Sequence, residues 1–227
     1  METASFSLLE LFRLGGIVMW PLLFFSIAAV ALSIERMVYL LYYNLRIDDL
    51  EAQFSEYIMK GDYSSAVKYF SGLPKKRIGA RILLVLAGQV KPGTVFSERR
   101  AERAVEAEAA ACINSLETGF NFLTAIGSLA PLTGFLGTVT GMISAFRAIA
   151  EATEVNAQIV AHGIYEALIT TVFGLIIAII AMVSHSVFTH IVDRFAARVE
   201  GACSNVIAQI AECTAGPQPS TEPKNAE

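Results

Sequence analysis

The stretch Phe122-Leu-Thr-Ala-Ile-Gly-Ser-Leu-Ala-Pro-Leu-Thr-Gly-Phe-Leu-Gly-Thr-Val-Thr-Gly-Met142 decides the fold. It holds no Asp, Glu, Lys or Arg, and neither does the longer run from Thr118 to Phe146 that contains it. A helix needs roughly 20 apolar residues to cross about 30 Å of hydrocarbon, so the run is long enough to span a bilayer. Gly127, Pro131, Gly134, Gly137 or Thr138, and Gly141 recur on one side of it. Small residues at that spacing let two helix backbones approach closely, a main source of helix association in lipid, and the stripe is expected to be a packing face. Pro131 removes one backbone donor and is expected to kink the helix, leaving a carbonyl for a neighbouring helix or a polar cavity to satisfy.

Outward from this run, Leu14 to Ile34 and Ala167 to Val192 are also free of Asp, Glu, Lys and Arg, and Gly174 adds a packing glycine to the latter. A 227-residue chain with 54% hydrophobic and 17% charged residues falls in the membrane class. The expected fold is an all-α membrane protein with three transmembrane helices. Met1 to Glu10 carries Glu2 and Glu10 but no basic residue, and no small-residue cleavage pattern follows, so the first span is expected to stay in the mature chain. Of the 17 basic residues, 11 lie between Tyr43 and Glu117, which puts that segment in the cytoplasm by the positive-inside rule. The short loop after the second span has Glu151 and Glu154 and no basic residue beyond Arg147, so it belongs on the other side. The N-terminus is then periplasmic and the C-terminus cytoplasmic. Cys112, Cys203 and Cys213 all fall on the reducing cytoplasmic side, none with a His at metal-ligand spacing, and they read as packing residues.

The expected organisation is an amphipathic lead at 1–13, a first transmembrane helix at 14–43 and a cytoplasmic helical loop domain at 44–97. A cytoplasmic helix continuing into the second span follows at 98–147, then a periplasmic loop at 148–161, the third span with its cytoplasmic extension at 162–214, and a Pro-rich disordered tail at 215–227. The loop domain is punctuated by Gly61-Asp62, Gly72-Leu73-Pro74 and Lys91-Pro92-Gly93. Its cluster Lys75-Lys76-Arg77 reads as solvated or facing lipid headgroups rather than nucleic acid. Val105, Ala109, Cys112, Leu116, Phe120 and Leu123 form one helical stripe, and Val187, Ile191, Phe195, Val199, Ala202, Val206 and Ile210 form another. Two long helices are thus expected to protrude below the membrane as a packed stalk.

Chemistry-bearing residues are few. Glu166 opens the third span in His162-Gly-Ile-Tyr-Glu-Ala-Leu-Ile-Thr-Thr171, with Thr170 one turn below. A carboxylate at the bilayer centre costs on the order of 2.5 to 3.5 kcal/mol, so Glu166 should face a pore or a partner. The hydroxyls of Thr138 and Thr171 are pore candidates, with back-bonding to their own helices as the alternative. Glu35 and Arg36, before Tyr39, Tyr42 and Tyr43, read as an interface anchor or an inter-subunit ion pair. His185 and His190 read as interfacial packing or hydrogen-bonding groups. None of the three runs contains a mid-membrane Asp or Glu, so this chain alone cannot form a complete titratable relay. No nucleotide-binding glycine loop, catalytic triad order or metal-ligand cluster is present in the sequence, which argues against an enzyme.

The segments Gly127 to Met142 and Glu166 to Leu175, with Glu35-Arg36 as a weaker match, resemble the ExbB/TolQ/MotA proton-channel proteins, most closely the ExbB branch and then TolQ. The resemblance implies a pentamer whose second and third helices line a pore, with Thr138, Thr171 and Glu166 along the proton pathway. It implies an ExbD/TolR-like single-span partner that supplies the missing membrane Asp, and a TonB-like or TolA-like protein that receives the work. Protons are the coupling ion, no other cofactor is implied, and the setting is the bacterial inner membrane. Where such proteins often have Ile-Pro-Ala, this chain has Ile179-Ile180-Ala181. The alternatives are a TolQ-like subunit of the Tol-Pal envelope system, a non-conducting membrane scaffold and a flagellar-type stator.

Overall fold

The structure, a computed structural model, describes residues 12, 15–74, 76–90, 96–151 and 157–215. Among these residues there are seven helices: α1 (Met19–Tyr42), α2 (Asp48–Met59), α3 (Tyr63–Gly72), α4 (Ile78–Gln89), α5 (Glu98–Glu117), α6 (Phe120–Glu151) and α7 (Ala157–Ala215). The only β-type pairing among them is an isolated bridge between Asn44 and Arg77. The chain is an all-α membrane protein, and α1, α6 and α7 are long and apolar enough to cross a bilayer. The lead expected at 1–13 (Phe12 apart), Lys75, the Lys91-Pro92-Gly93 turn, residues 152–156 and residues 216–227 lie outside the described residues. The chain divides into two compact units, residues 1–39 with 118–189, and residues 40–117 with 190–227.

In the first unit the core is built from small and branched side chains. Met19, Leu22 and Ala29 of α1 meet Ile126 and Ala130 of α6 and Ile177 and Ala181 of α7. α1 starts after a Gly15-Gly16 turn in which Gly16 has φ +64, and its Pro21 falls in the first turn, where a missing N–H breaks no intrahelical bond. The large apolar residues point outward: Phe24 is 68% exposed, Phe122 65% and Phe135 64%. Such a surface is unfavourable in water and neutral in hydrocarbon, so it marks the part of the chain solvated by lipid or covered by other membrane helices.

The second unit has the opposite order. Leu50, Phe54 and Ile58 of α2, Phe70 of α3 and Ile82, Leu83 and Leu86 of α4 are buried, and Phe54 and Phe70 stack at a tilt with ring centroids 5.3 Å apart. Asp62 caps α3 by accepting from Ser65 N–H at 3.0 Å, and hydrogen bonds from the Ser65 side chain and then its backbone hold the Asp62 carboxyl below the usual range. Ala101, Val105, Cys112 and Leu116 of α5 form one buried stripe, and Val192, Phe195, Val199, Ala202, Val206 and Ile210 of α7 form another. Burial pushes the Cys112 thiol up, and Cys203 is also buried while Cys213 is exposed.

The single helix expected over 98–147 is instead two. It is interrupted at Thr118-Gly119, where Gly119 takes φ +92, a conformation no helix interior contains. α6 restarts with Phe122 N–H donating to Gly119 O at 3.1 Å. A Cβ on Gly119 would lie 3.0 Å from Arg36 Nε, so the bare backbone also gives the guanidinium its seat. Gly119→Ala should therefore lower stability by about 1 to 2 kcal/mol or more, read as a drop in thermal midpoint of the detergent-purified protein. Gly201→Ala, in open space inside α7, should raise it by about 0.5 to 1 kcal/mol. Native maleimide labelling followed by mass analysis should modify Cys213 and reach Cys112 and Cys203 only after denaturation.

Candidate functional site

The candidate site is the seam between α6 and α7, flanked at the level of Glu166 and Thr170 by the Gly15-Gly16 turn. The seam is antiparallel and tight because glycines face backbone. A Cβ on Gly134 would lie 2.8 Å from Thr170 O and 3.0 Å from Thr171 Cα. One on Gly174 would lie 2.6 Å from Ala130 O, and one on Gly141 3.1 Å from Gly163 O. Gly137 has the side chain of Thr170 where its own Cβ would be. At Pro131 the missing N–H releases the carbonyl of Gly127, and the Met182 thioether packs over that glycine, its Sδ 2.6 Å from a Cβ position.

This closeness lets α7 hydroxyls reach an α6 carbonyl. Thr171 Oγ1 donates to Gly134 O at 3.2 Å. Thr170, at 1% exposure the buried polar residue among the described ones, places its hydroxyl between Ala167 O at 2.8 Å and Gly134 O at 3.3 Å. A hydroxyl buried without an acceptor costs roughly 1 to 3 kcal/mol, so both threonines depend on the absence of a side chain at Gly134. Thr138, the other expected pathway threonine, is half-buried and donates to Phe135 O of its own helix at 2.6 Å.

Glu166 lies on a different face from Thr171. Five positions at about 100° each separate them by about 140°, whereas Glu166 and Thr170, one turn apart, share a face. The half-buried carboxylate of Glu166 rests on the backbone of Gly16, and a Cβ there would overlap its Oε1. The methyl group of Thr170 lies 3.5 Å from the Cβ position of neighbouring Gly15. The structure therefore joins Thr171 to the glycine seam, joins Glu166 and Thr170 to the entry turn of α1, and leaves Thr138 bonded to α6. Thr170 is the residue a sequence reading passes over in favour of its neighbour, and its register with Glu166 is the signal that marks it.

Glu35 and Arg36 pair within the chain at 2.8 Å. The Arg36 guanidinium lies 5.3 Å from the Tyr39 ring centroid and against Gly119, so it packs as well as carrying charge. His185 is half-buried with its ring edge-on to Phe120, centroids 6.1 Å apart. Among the described residues no group of three His, Cys, Asp or Glu could hold a metal ion.

Residues 84–201 match the model of the MotA/TolQ/ExbB proton channel family. The biopolymer transport protein ExbB of Pseudomonas putida is 38% identical over 112 residues, which cover 49% of this chain and 34% of that protein. The ExbB-like 3 biopolymer transport protein of Synechocystis sp. is 33% identical over 179 residues, 77% of this chain and 81% of that protein. The Tol-Pal system protein TolQ of Haemophilus influenzae is 43% identical over 74 residues, 33% of this chain and 32% of that protein. The chain thus spans well under half the length of the Pseudomonas ExbB and TolQ proteins it matches, and most of the Synechocystis one.

Two substitutions test the geometry without reference to function. Gly174→Leu drives a side chain into the Ala130 carbonyl, and size-exclusion chromatography of the extracted protein should show little or no monodisperse material. Gly16→Ala should destabilise wild-type protein by about 1 to 2 kcal/mol, and by at least about 0.5 kcal/mol less in a Glu166→Ala background, because the overlapping carboxylate is gone.

Proposed function

We propose that this chain, which belongs to the MotA/TolQ/ExbB proton channel family, is the channel-forming subunit of a bacterial inner-membrane complex that uses the proton motive force to power transport at the outer membrane. The observation that carries this reading is the family match over residues 84–201, which contains the whole glycine seam, both seam threonines and Glu166. The relatives named as ExbB biopolymer transport proteins support a transport role with ExbD-like and TonB-like partners. TolQ relatives at 40% and 43% identity over 85 and 74 residues support a second reading, the same machine serving the Tol-Pal system with TolR-like and TolA-like partners.

The chain enters the membrane with its N-terminus periplasmic and the segment between the first two spans cytoplasmic, and it works as a homo-oligomer, a pentamer on the family resemblance. Protons reach Glu166 from the outer side and pass the α6–α7 seam. The runs 118–146 and 167–192 contain no carboxylate, so the mid-membrane proton acceptor comes from the partner's Asp. Thr171 and Thr138, whose hydroxyl protons go to Gly134 O and Phe135 O, offer their oxygens as acceptors to the partner or to water rather than serving as titrating groups. A potential of about 100 mV supplies roughly 2.3 kcal/mol per charge, so a few protons per cycle can drive a conformational step in the partner.

Glu166→Ala and Thr171→Val should each abolish energised transport while leaving extractable, assembled complex at wild-type levels. Full transport by both variants would remove these residues from the pathway. Gentle extraction should co-purify a small single-span protein with a membrane Asp. A ring without such a protein, in membranes whose transport is energised normally, would favour the scaffold reading.

A further inference from the structure

In the second unit, the segment after α1 is stitched to the one before α4. Asn44 N–H donates to Lys76 O at 3.0 Å, Asn44 and Arg77 form a parallel bridge, and Lys76 Nζ lies 4.1 Å from the Tyr42 ring centroid. Beside this stitch is a concavity of about 550 Å³ lined by Asn44, Arg46, Asp48, Asp49, Arg77 and Arg198. Three guanidinium groups face two carboxylates. Arg77 and Asp49 are already paired at 3.0 Å, whereas neither Arg46 nor Arg198 forms an ion pair among the described residues. Arg198 Nε donates to Arg194 O at 3.2 Å, which leaves the two terminal nitrogens of its fork for another acceptor. The Asn44 Oδ1 accepts from Arg46 N–H at 3.0 Å, so its Nδ2 donors point elsewhere. α2 also begins here, with Ile47 in the capping position and no side-chain acceptor for its first-turn amides.

Arg198 lies six residues past Val192, the last residue of a charge-free run that at about 39 Å is longer than the roughly 30 Å of hydrocarbon, so the site is on the aqueous side of the inner interface. The concavity also follows directly on Tyr42 and Tyr43, the aromatic end of α1.

We infer that this concavity is a binding site for a phosphate monoanion, with Arg46 and Arg198 gripping the phosphate oxygens and the Asn44 amide adding a donor. The net charge of one positive left by three arginines and two aspartates matches a phosphodiester and disfavours a polyphosphate, which Asp48 and Asp49 would repel. The same chemistry is offered by an anionic lipid headgroup and by inorganic phosphate.

The test uses the full chain in neutral detergent, titrated with dioleoylphosphatidylglycerol, with dioleoylglycerol, which lacks the phosphate, and with inorganic phosphate, each read by native mass spectrometry. The wild type should bind phosphatidylglycerol at one site per chain and dioleoylglycerol not at all. R46Q/R198Q should bind phosphatidylglycerol at least about tenfold more weakly. Tight binding of inorganic phosphate, lost in the same variant, with no added affinity for phosphatidylglycerol, would support the site and assign it to a soluble anion. Equal binding by wild type and variant, or equal binding of phosphatidylglycerol and dioleoylglycerol, would overturn it. The single variants R46Q and R198Q, each weakened about threefold or more, keep the test decisive if the double variant does not fold.

Discussion

Backbone contact between α6 and α7 is the constraint on which the first unit depends. In lipid there is no hydrophobic force to press two apolar helices together, because hydrocarbon solvates a leucine as well as a leucine does. What remains is van der Waals contact and hydrogen bonding, and both require short distances. Gly134 and Gly174 supply the distance: each would place a Cβ within 2.8 Å of a carbonyl oxygen of the other helix. The hydroxyls of Thr170 and Thr171 then find an acceptor in Gly134 O, which a side chain at that position would block. Glycine and threonine are thus one device, the former making room for the bond the latter donates.

The two units show how the same chain is written for two solvents. In the second unit large side chains such as Phe54, Phe195, Leu50 and Leu83 are fully buried, as expected where water supplies roughly 25 cal/mol for each Å² of apolar surface removed from it. In the first unit Phe24, Phe122, Phe135 and Leu132 are turned outward, and along the α6–α7 seam the inside is glycine and alanine with Thr170, beside a smaller set of buried large residues such as Leu22, Leu123 and Phe188. Size, rather than polarity, sorts the residues there. α7 crosses from one regime to the other within a single helix, its buried positions changing from Ala167, Thr170, Gly174 and Ala178 to Phe195, Val199 and Val206.

That change was legible in the sequence, because apolar runs and stripes are one-dimensional signals. The three spans, the glycine stripe, the buried stripe of α5 and that of α7 from Phe195 onward follow from period and composition alone, whereas Val187, expected in the α7 stripe, is exposed and Ile191 is half-buried. The break at Gly119 was not legible, since a glycine inside a helical pattern does not announce whether its φ is positive, and the Arg36 side chain that packs against it comes from another helix. That Thr170 lies against the entry turn of α1 was not legible for a similar reason. Thr170 and Thr171 are both within reach of α6, but only the three-helix arrangement tells which of them also faces α1. The seat of Glu166 on Gly16 joins residues far apart in sequence, and no local pattern in either predicts it.

The position of Glu166 bears on how a proton could enter the seam. A carboxylate in contact with a glycine turn is held without an ion pair of its own among the described residues, half-buried at the end of an apolar helix. Its polar neighbour one turn further into the membrane on the same face of α7 is Thr170, which is committed to Ala167 O and Gly134 O, while Thr171 is turned by about 140°. A threonine cannot hold a proton at neutral pH, so on the proposed function a proton leaving Glu166 meets no carboxylate of this chain within the runs 118–146 and 167–192, whose titratable side chains are His185 and His190 near the inner end of α7. On the proposed function the seam is therefore a rigid wall that presents hydroxyls and one carboxylate, and the group that moves and titrates belongs to the partner. Rigidity is what glycine packing provides, because a seam already at backbone contact has no slack to absorb the work, and a conformational step driven by protonation must appear in whatever sits against it.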